Sequence, residues 1–164
     1  MADASPLIHL ARIGRLSLIP QLYRRAVCPA SVVREVVTRG HELGRPDAAA
    51  VEAVLGDWLA AVMPPAKLAA RAEALRRNAR LGEGESDAIL LAEDLRAPLL
   101  TDDALAARTA RARGIDIRWT TSLVLEAAAG SVLSKQEARG VIEELVRSGL
   151  RIAPAVLLEL LRAL

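Results

Sequence analysis

The chain has 164 residues, 52% hydrophobic and 26% charged, a balance that suits one globular domain over 1–164 and excludes a disordered chain. Its formal charge of +2 is too small to argue by itself for a nucleic-acid partner. No apolar run approaches the roughly 18–20 residues that cross a bilayer, the start MADASPLIHLARIG lacks the parts of a secretory leader, and the lone Cys28 cannot form an internal disulfide, so a cytoplasmic protein without membrane contact is expected.

Residues 5–13 read as a helix, with Ser5 as N-cap and Pro6 in the first turn. A short turn over 16–23 precedes a brief buried strand over 26–28. Pro29 opens the next helix, where Val32, Val33, Val36 and Val37 form one apolar stripe. Residues 40–46 form a polar break, and Asp47 caps a helix running through Leu55. A strand over 58–63 (WLAAVM) is closed by Pro64 and Pro65. Residues 67–80 make an arginine-rich helix that Gly82 and Gly84 terminate. A helix over 86–95 leads to a buried strand over 98–101. The helix over 104–113 stops at Gly114, before a short strand over 115–118. Helices over 121–129, 135–147 and 154–164 complete the chain.

Short apolar strands separated by helices favour a parallel sheet covered on both faces, whose carboxyl edge binds ligands. Four acids fall near that edge: Asp3 in ADASPLI, Glu35 in SVVREVV, Asp87 in GEGESDAILLA and Asp103 in PLLTDDALAAR. Carboxylates beside runs of Val, Leu and Ile are costly unless compensated. With no Cys/His cluster, the fitting compensation is a hard divalent cation. Each acid also has a plain structural reading. Glu35 can pair with Arg39 four residues on. Asp87 can favour a helix N-terminus, Asp102 or Asp103 can be a helix cap, and Asp3 can be merely exposed. His9 and His41 stand alone, and GEGE lacks the Lys and Ser/Thr of a phosphate-binding P-loop. Arginines gather at Arg24/Arg25, between Arg71 and Arg80, and at Arg108, Arg111 and Arg113, where solvated helix faces compete with an RNA track. Tyr23, Trp58 and Trp119 are the only aromatics, which weakens stacking-based recognition.

The stretches DASPLIHLARIGRLSLIPQLY, CPASVVREV, GEGESDAILLA and LLTDDALAARTARARGI, in that order, resemble a PIN domain. They are most similar to stand-alone VapC-like proteins. The resemblance implies a three-layer α/β/α fold around a central parallel sheet of about four or five short strands, and a Mg²⁺- or Mn²⁺-dependent endoribonuclease. It further implies a toxin restrained by a small antitoxin protein, acting as a homodimer on RNA. Residue by residue, Asp3 matches the first-strand acid, Glu35 the helix glutamate, Asp87 the acid of the GExxxAI helix, and Asp103 the acid of the T-x-D stretch. Asp102 shares or replaces that last role. Asp3, Asp87 and Asp103 (or Asp102) are thus the expected metal ligands, with Glu35 orienting water. Ser5 and Thr101 would hold the carboxylates, and Arg108 would hold an RNA phosphate or pair with Asp103. Relatives carry three or four β-branched residues before the first acid, where this sequence has Met1 and Ala2. The expectation is therefore a truncated central strand or a true start upstream. Trp119 stands near the place of the usual Gly-Thr pair. The alternative to an enzyme is a catalytically impaired PIN-like interaction module. A phosphotransfer enzyme with an aspartyl nucleophile ranks last, because the first acid lacks a D-x-D arrangement.

Overall fold

The computed structural model describes residues 1–164. Helix α1 (Ala4–Arg12) and helix α2 (Leu18–Tyr23) come first, then strand β1 (Ala26–Pro29). Helix α3 (Ala30–Val33), a π-helical turn (Arg34–Thr38) and helix α4 (Arg39–Glu42) continue one another without a break. Helix α5 (Pro46–Glu52) leads to strand β2 (Leu59–Val62). A 3₁₀ turn (Ala66–Leu68) precedes α6 (Ala69–Ala79) and α7 (Glu83–Leu95). Strand β3 (Leu99–Leu100), helix α8 (Ala104–Arg111) and strand β4 (Ile117–Arg118) follow. Helices α9 (Thr120–Ala129), α10 (Lys135–Arg147) and α11 (Pro154–Ala163) close the chain.

The expected four- or five-stranded sheet is not formed as such. β1 pairs with β2 and β3 pairs with β4, both in parallel, as two separate two-stranded sheets. Residues 1–3 lie between them. Ala2 N donates to Val27 O at 2.8 Å, Leu100 N donates to Met1 O at 2.8 Å, and Asp3 N donates to Leu100 O at 3.0 Å. The position where a central strand was expected to be short is thus held by backbone bonds to both neighbours, including a parallel bridge between Ala2 and Leu100. The strands are short: helices begin within a few residues of β1, β3 and β4, and Pro64 and Pro65 follow β2. Asp3 is the N-cap of α1 and Asp103 that of α8.

Side chains alternate across this layer, as strand geometry requires. Ala2, Cys28, Leu59 and Leu100 enter one core with α1, α9 and α10. Met1 and Leu99 enter a second core with α6, α7 and α8, and Val27, Val62 and Ile117 pack against it. Helices on both faces of parallel strands make an α/β protein with three layers. In α11 and at its end, Leu160 and Leu164 are buried and Leu157 and Leu161 pack on the first core, while Val156 and Leu158 stay exposed.

Three local expectations are corrected. Ser5 is not the cap of α1; Asp3 is, its Oδ1 accepting from Ala4 N at 2.8 Å. Asp47 does not cap α5: the helix starts at Pro46, and the buried Asp47 instead accepts from Arg12 Nε at 3.3 Å. Residues 40–46 are only partly a break, because the π turn carries the helix on to Glu42. Gly40 is a packing point there, since a Cβ would stand 2.7 Å from Ala48 Cβ in α5. Helix propensity favours alanine by about 1 kcal/mol, but overpacking costs about 1–3 kcal/mol. Gly40→Ala is therefore expected to lower the urea midpoint; an unchanged or higher midpoint would show that the two helices separate freely.

Candidate active site

A cleft of about 590 Å³ opens at the carboxyl ends of the strands, the edge at which open α/β sheets bind ligands. Asp3, Glu35, Glu85, Asp102 and Asp103 line it, with Arg80, Arg151 and His9 as the nearby basic groups.

Asp3 is the most constrained of these acids, at 3% exposure. Besides capping α1, it accepts from Thr101 Oγ1 through Oδ2 at 2.9 Å. Thr101 is fully buried, and its Oγ1 also accepts from Asp103 N at 3.2 Å. One hydroxyl thereby ties the carboxylate after the first segment to the backbone after β3. Ser5 Oγ accepts from Asp102 N at 3.2 Å, so it holds the loop's backbone rather than a carboxylate. Asp102 and Asp103 divide two duties. Asp103 caps α8, its Oδ1 accepting from Ala106 N at 2.7 Å. Asp102 reaches the start of α9, accepting from Thr120 N at 2.9 Å and Thr120 Oγ1 at 2.6 Å. Thr120, fully buried beside the cleft, follows the Trp119 that the sequence placed near the site.

Glu35 sits in the π turn, an irregularity common at functional sites. Its neighbour Arg34, not Glu35, makes an ion pair, with Glu83 at 2.8 Å. Gly84 lets α7 come close: a Cβ there would meet Val32 Cγ2 at 3.1 Å and Glu35 Oε2 at 3.3 Å. Gly82 and Gly84 therefore cap and seat α7, which starts three residues earlier than expected. Glu85 reaches back over the helix start, its Oε2 accepting from Gly82 N at 2.8 Å.

The structure places Asp87 outside the cleft. Residues two apart on a helix point about 200° away from each other, so Glu85 faces the cleft while Asp87 faces α3. There Asp87 Oδ2 accepts from Ser31 Oγ at 2.6 Å. Arg108 is exposed on α8 and does not line the cleft either. The cleft's guanidinium groups come from loops: Arg80 from the left-handed end of α6 (φ 54°), and Arg151 from the α10–α11 connection. Gly149, at φ 102°, makes the turn into that connection, a conformation glycine alone adopts readily. Of the two, the sequence marked only Arg80, as the end of the Arg71–Arg80 cluster.

Five carboxylates around two guanidinium groups leave an excess of negative charge. Burial pushes the Asp3 carboxyl up to about 6 from 3.8, against the bonds from Ala4 and Thr101, and Glu85 and Glu35 add repulsion. Glu85 and Asp102 are also raised, again mainly by burial. Glu85 Oε1, Asp103 Oδ2 and both Glu35 oxygens accept no hydrogen bond from the protein. An all-oxygen donor set with free acceptors and uncompensated charge fits a hard divalent cation. No three Asp, Glu, His or Cys side chains stand close enough together to hold a metal ion among themselves.

A family model described as DUF3368, a PIN domain, matches residues 1–164. The chain belongs to this PIN-domain family. No match was found among curated proteins or among solved structures. A PIN domain is a nuclease-type fold, and PIN domains generally are nucleases that use divalent metals. In this PIN domain no helix is long and apolar enough to cross a membrane.

The Asp3 shift has a definite sign. A carboxyl raised on folding binds more protons in the native state, so stability falls as pH rises from about 4 to about 6. The shift from 3.8 to about 6 corresponds to at most about 3 kcal/mol, fully present above the folded value. In the presence of a chelator, Asp3→Asn should therefore be more stable than wild type at pH 7.5 and nearly equal at pH 4. A variant less stable at pH 7.5 in urea denaturation would contradict this sign.

Proposed function

We propose that this PIN domain is a Mg²⁺- or Mn²⁺-dependent endoribonuclease that hydrolyses RNA phosphodiester bonds in the carboxylate-lined cleft. The observation that carries the reading is Asp3: a buried, doubly hydrogen-bonded carboxylate whose ionisation neighbouring carboxylates oppose. Such a group persists at functional cost only where positive charge joins it.

Asp3 and Asp103 would hold the cation. Glu85 takes the place first expected of Asp87, because it is the α7 acid that lines the cleft. Asp102 is committed to Thr120 and supports the site by fixing the start of α9. When bound, the cation would neutralise phosphoryl charge and acidify water. Glu35, with free oxygens at the cleft wall, would orient the attacking water and accept its proton. The new bond joins the water oxygen to phosphorus as the ester P–O bond breaks, and the leaving oxygen takes up a proton from solvent. Arg80 and Arg151, on the rim, would hold the phosphates flanking the cleaved bond. Thr101 would keep Asp3 in place through its donated hydrogen bond.

The same reading makes the protein a VapC-like toxin of a toxin–antitoxin pair, cytoplasmic, homodimeric and held inactive by a small antitoxin. The second reading is a catalytically impaired PIN-like interaction module, which would bind no cation in the cleft.

Cleavage of single-stranded RNA with Mg²⁺ or Mn²⁺ separates the two. Asp3→Asn, Glu85→Gln and Asp103→Asn should each lower cleavage by roughly 100-fold or more. Asp87→Asn should keep most of the activity while losing about 1–2 kcal/mol of stability with the Ser31 bond. Equal loss in Asp87→Asn and none in Glu85→Gln would overturn the assignment within α7. No cleavage by wild type with either metal would favour the module.

A further inference from the structure

A second cavity, of about 440 Å³, opens beside the cleft and shares Asp102, Leu150 and Arg151 with it. Its volume lies within the roughly 300–1,000 Å³ of small-ligand sites. The two differ in chemistry. The cleft is walled by carboxylates, whereas this groove is walled by Trp119, Leu150, Ile152 and Val156. Trp119 stands directly after β4, at the same carboxyl edge as Asp3 and Asp103. The guanidinium of Arg111 lies 5.7 Å from the centre of its ring, a cation–π contact that holds the indole at the groove. Val156, at 51% exposure, leaves the far wall open to solvent.

An apolar groove continuous with a charged cleft selects a ligand that changes character over a short distance. Its anionic part must sit by Arg151, and its flat apolar part must reach Trp119. An apolar peptide meets the second demand only, and a free anion the first only. A nucleotide meets both. Resting on the nuclease reading above, we propose that this groove is a nucleobase subsite. It takes a base next to the cleaved phosphodiester of a single-stranded RNA, with Trp119 as the contacting aromatic and Arg151 bridging to the phosphate. Duplex RNA is excluded, because its paired bases cannot turn out into a groove beside the backbone. Specificity in this protein would therefore reside in the β4–α9 junction and the α10–α11 connection, apart from the carboxylates.

The test uses Trp58→Phe protein, in which Trp119 is the sole tryptophan. It is titrated with oligouridylate, oligoadenylate and an abasic ribose-phosphate strand of equal length. The base-bearing strands should quench Trp119 emission and the abasic strand should not. In cleavage assays Trp119→Ala should raise KM roughly 10-fold with kcat little changed. That KM should match wild type acting on a substrate abasic beside the cleaved bond, and Trp119→Phe should restore most of the loss. Cleavage with Trp119→Ala kinetics equal to wild type, or equal quenching by the abasic strand, overturns the subsite and leaves the nuclease reading standing. Quenching by base-bearing strands alone without any cleavage supports the subsite and overturns hydrolysis. Quenching by an apolar peptide but by no RNA strand overturns the proposal in favour of a protein ligand.

Discussion

Three backbone hydrogen bonds set the geometry of the carboxylate-lined end of the molecule. Ala2 donates to Val27, Leu100 donates to Met1, and Asp3 donates to Leu100. They join two sheets that otherwise share no strand, and they fix the Asp3 carboxylate relative to the loop after β3. Thr101 completes the lock by donating to Asp3 and accepting from Asp103. Each buried backbone group so paired avoids the cost of an unmet donor or acceptor. The same bonds hold a carboxylate where water cannot solvate it well. Order in the sheet and electrostatic tension in the site thus share one origin.

That tension has structural supports on every side. Gly84 brings α7 against the π turn, which sets Glu35 and Glu85 on facing walls. Ser31 and Asp87 bond across the same helix pair on the side away from the cleft. An acid on each face of α7 therefore serves a different purpose: one faces the cleft, the other fastens helix to helix. Asp102 and Asp103 show the same division over consecutive residues, capping α9 and α8 respectively.

Much of this was legible in the sequence, and the failures have physical causes. Acids next to apolar runs marked Asp3, Glu35 and Asp103, because buried charge is costly enough to be informative. The serine and threonine beside them marked Ser5 and Thr101, although Ser5 bonds to backbone instead of carboxylate. Glu85 was missed because the glycines of GEGE read as a helix stop. Once the helix starts at Glu83, the phase turns Glu85 inward to the cleft and Asp87 toward α3. Gly40 was misread for the same reason: glycine signals both a break and a close helix contact. Arg80 was marked only as the end of an arginine cluster and Arg151 not at all, because loops bring both to the cleft and loop geometry leaves no periodic trace. The strands were overestimated because an apolar run does not reveal where a cap ends it.

The central claim is that the carboxylates around Asp3 form a cation site. Its most direct test is an equilibrium titration of Mn²⁺ followed by electron paramagnetic resonance at pH 7.5, on wild type, Asp3→Asn and Asp87→Asn. The account predicts saturable binding of millimolar or better affinity to wild type and Asp87→Asn, and its loss in Asp3→Asn. Absence of saturable binding to wild type, or binding to Asp3→Asn that matches wild type, would contradict it.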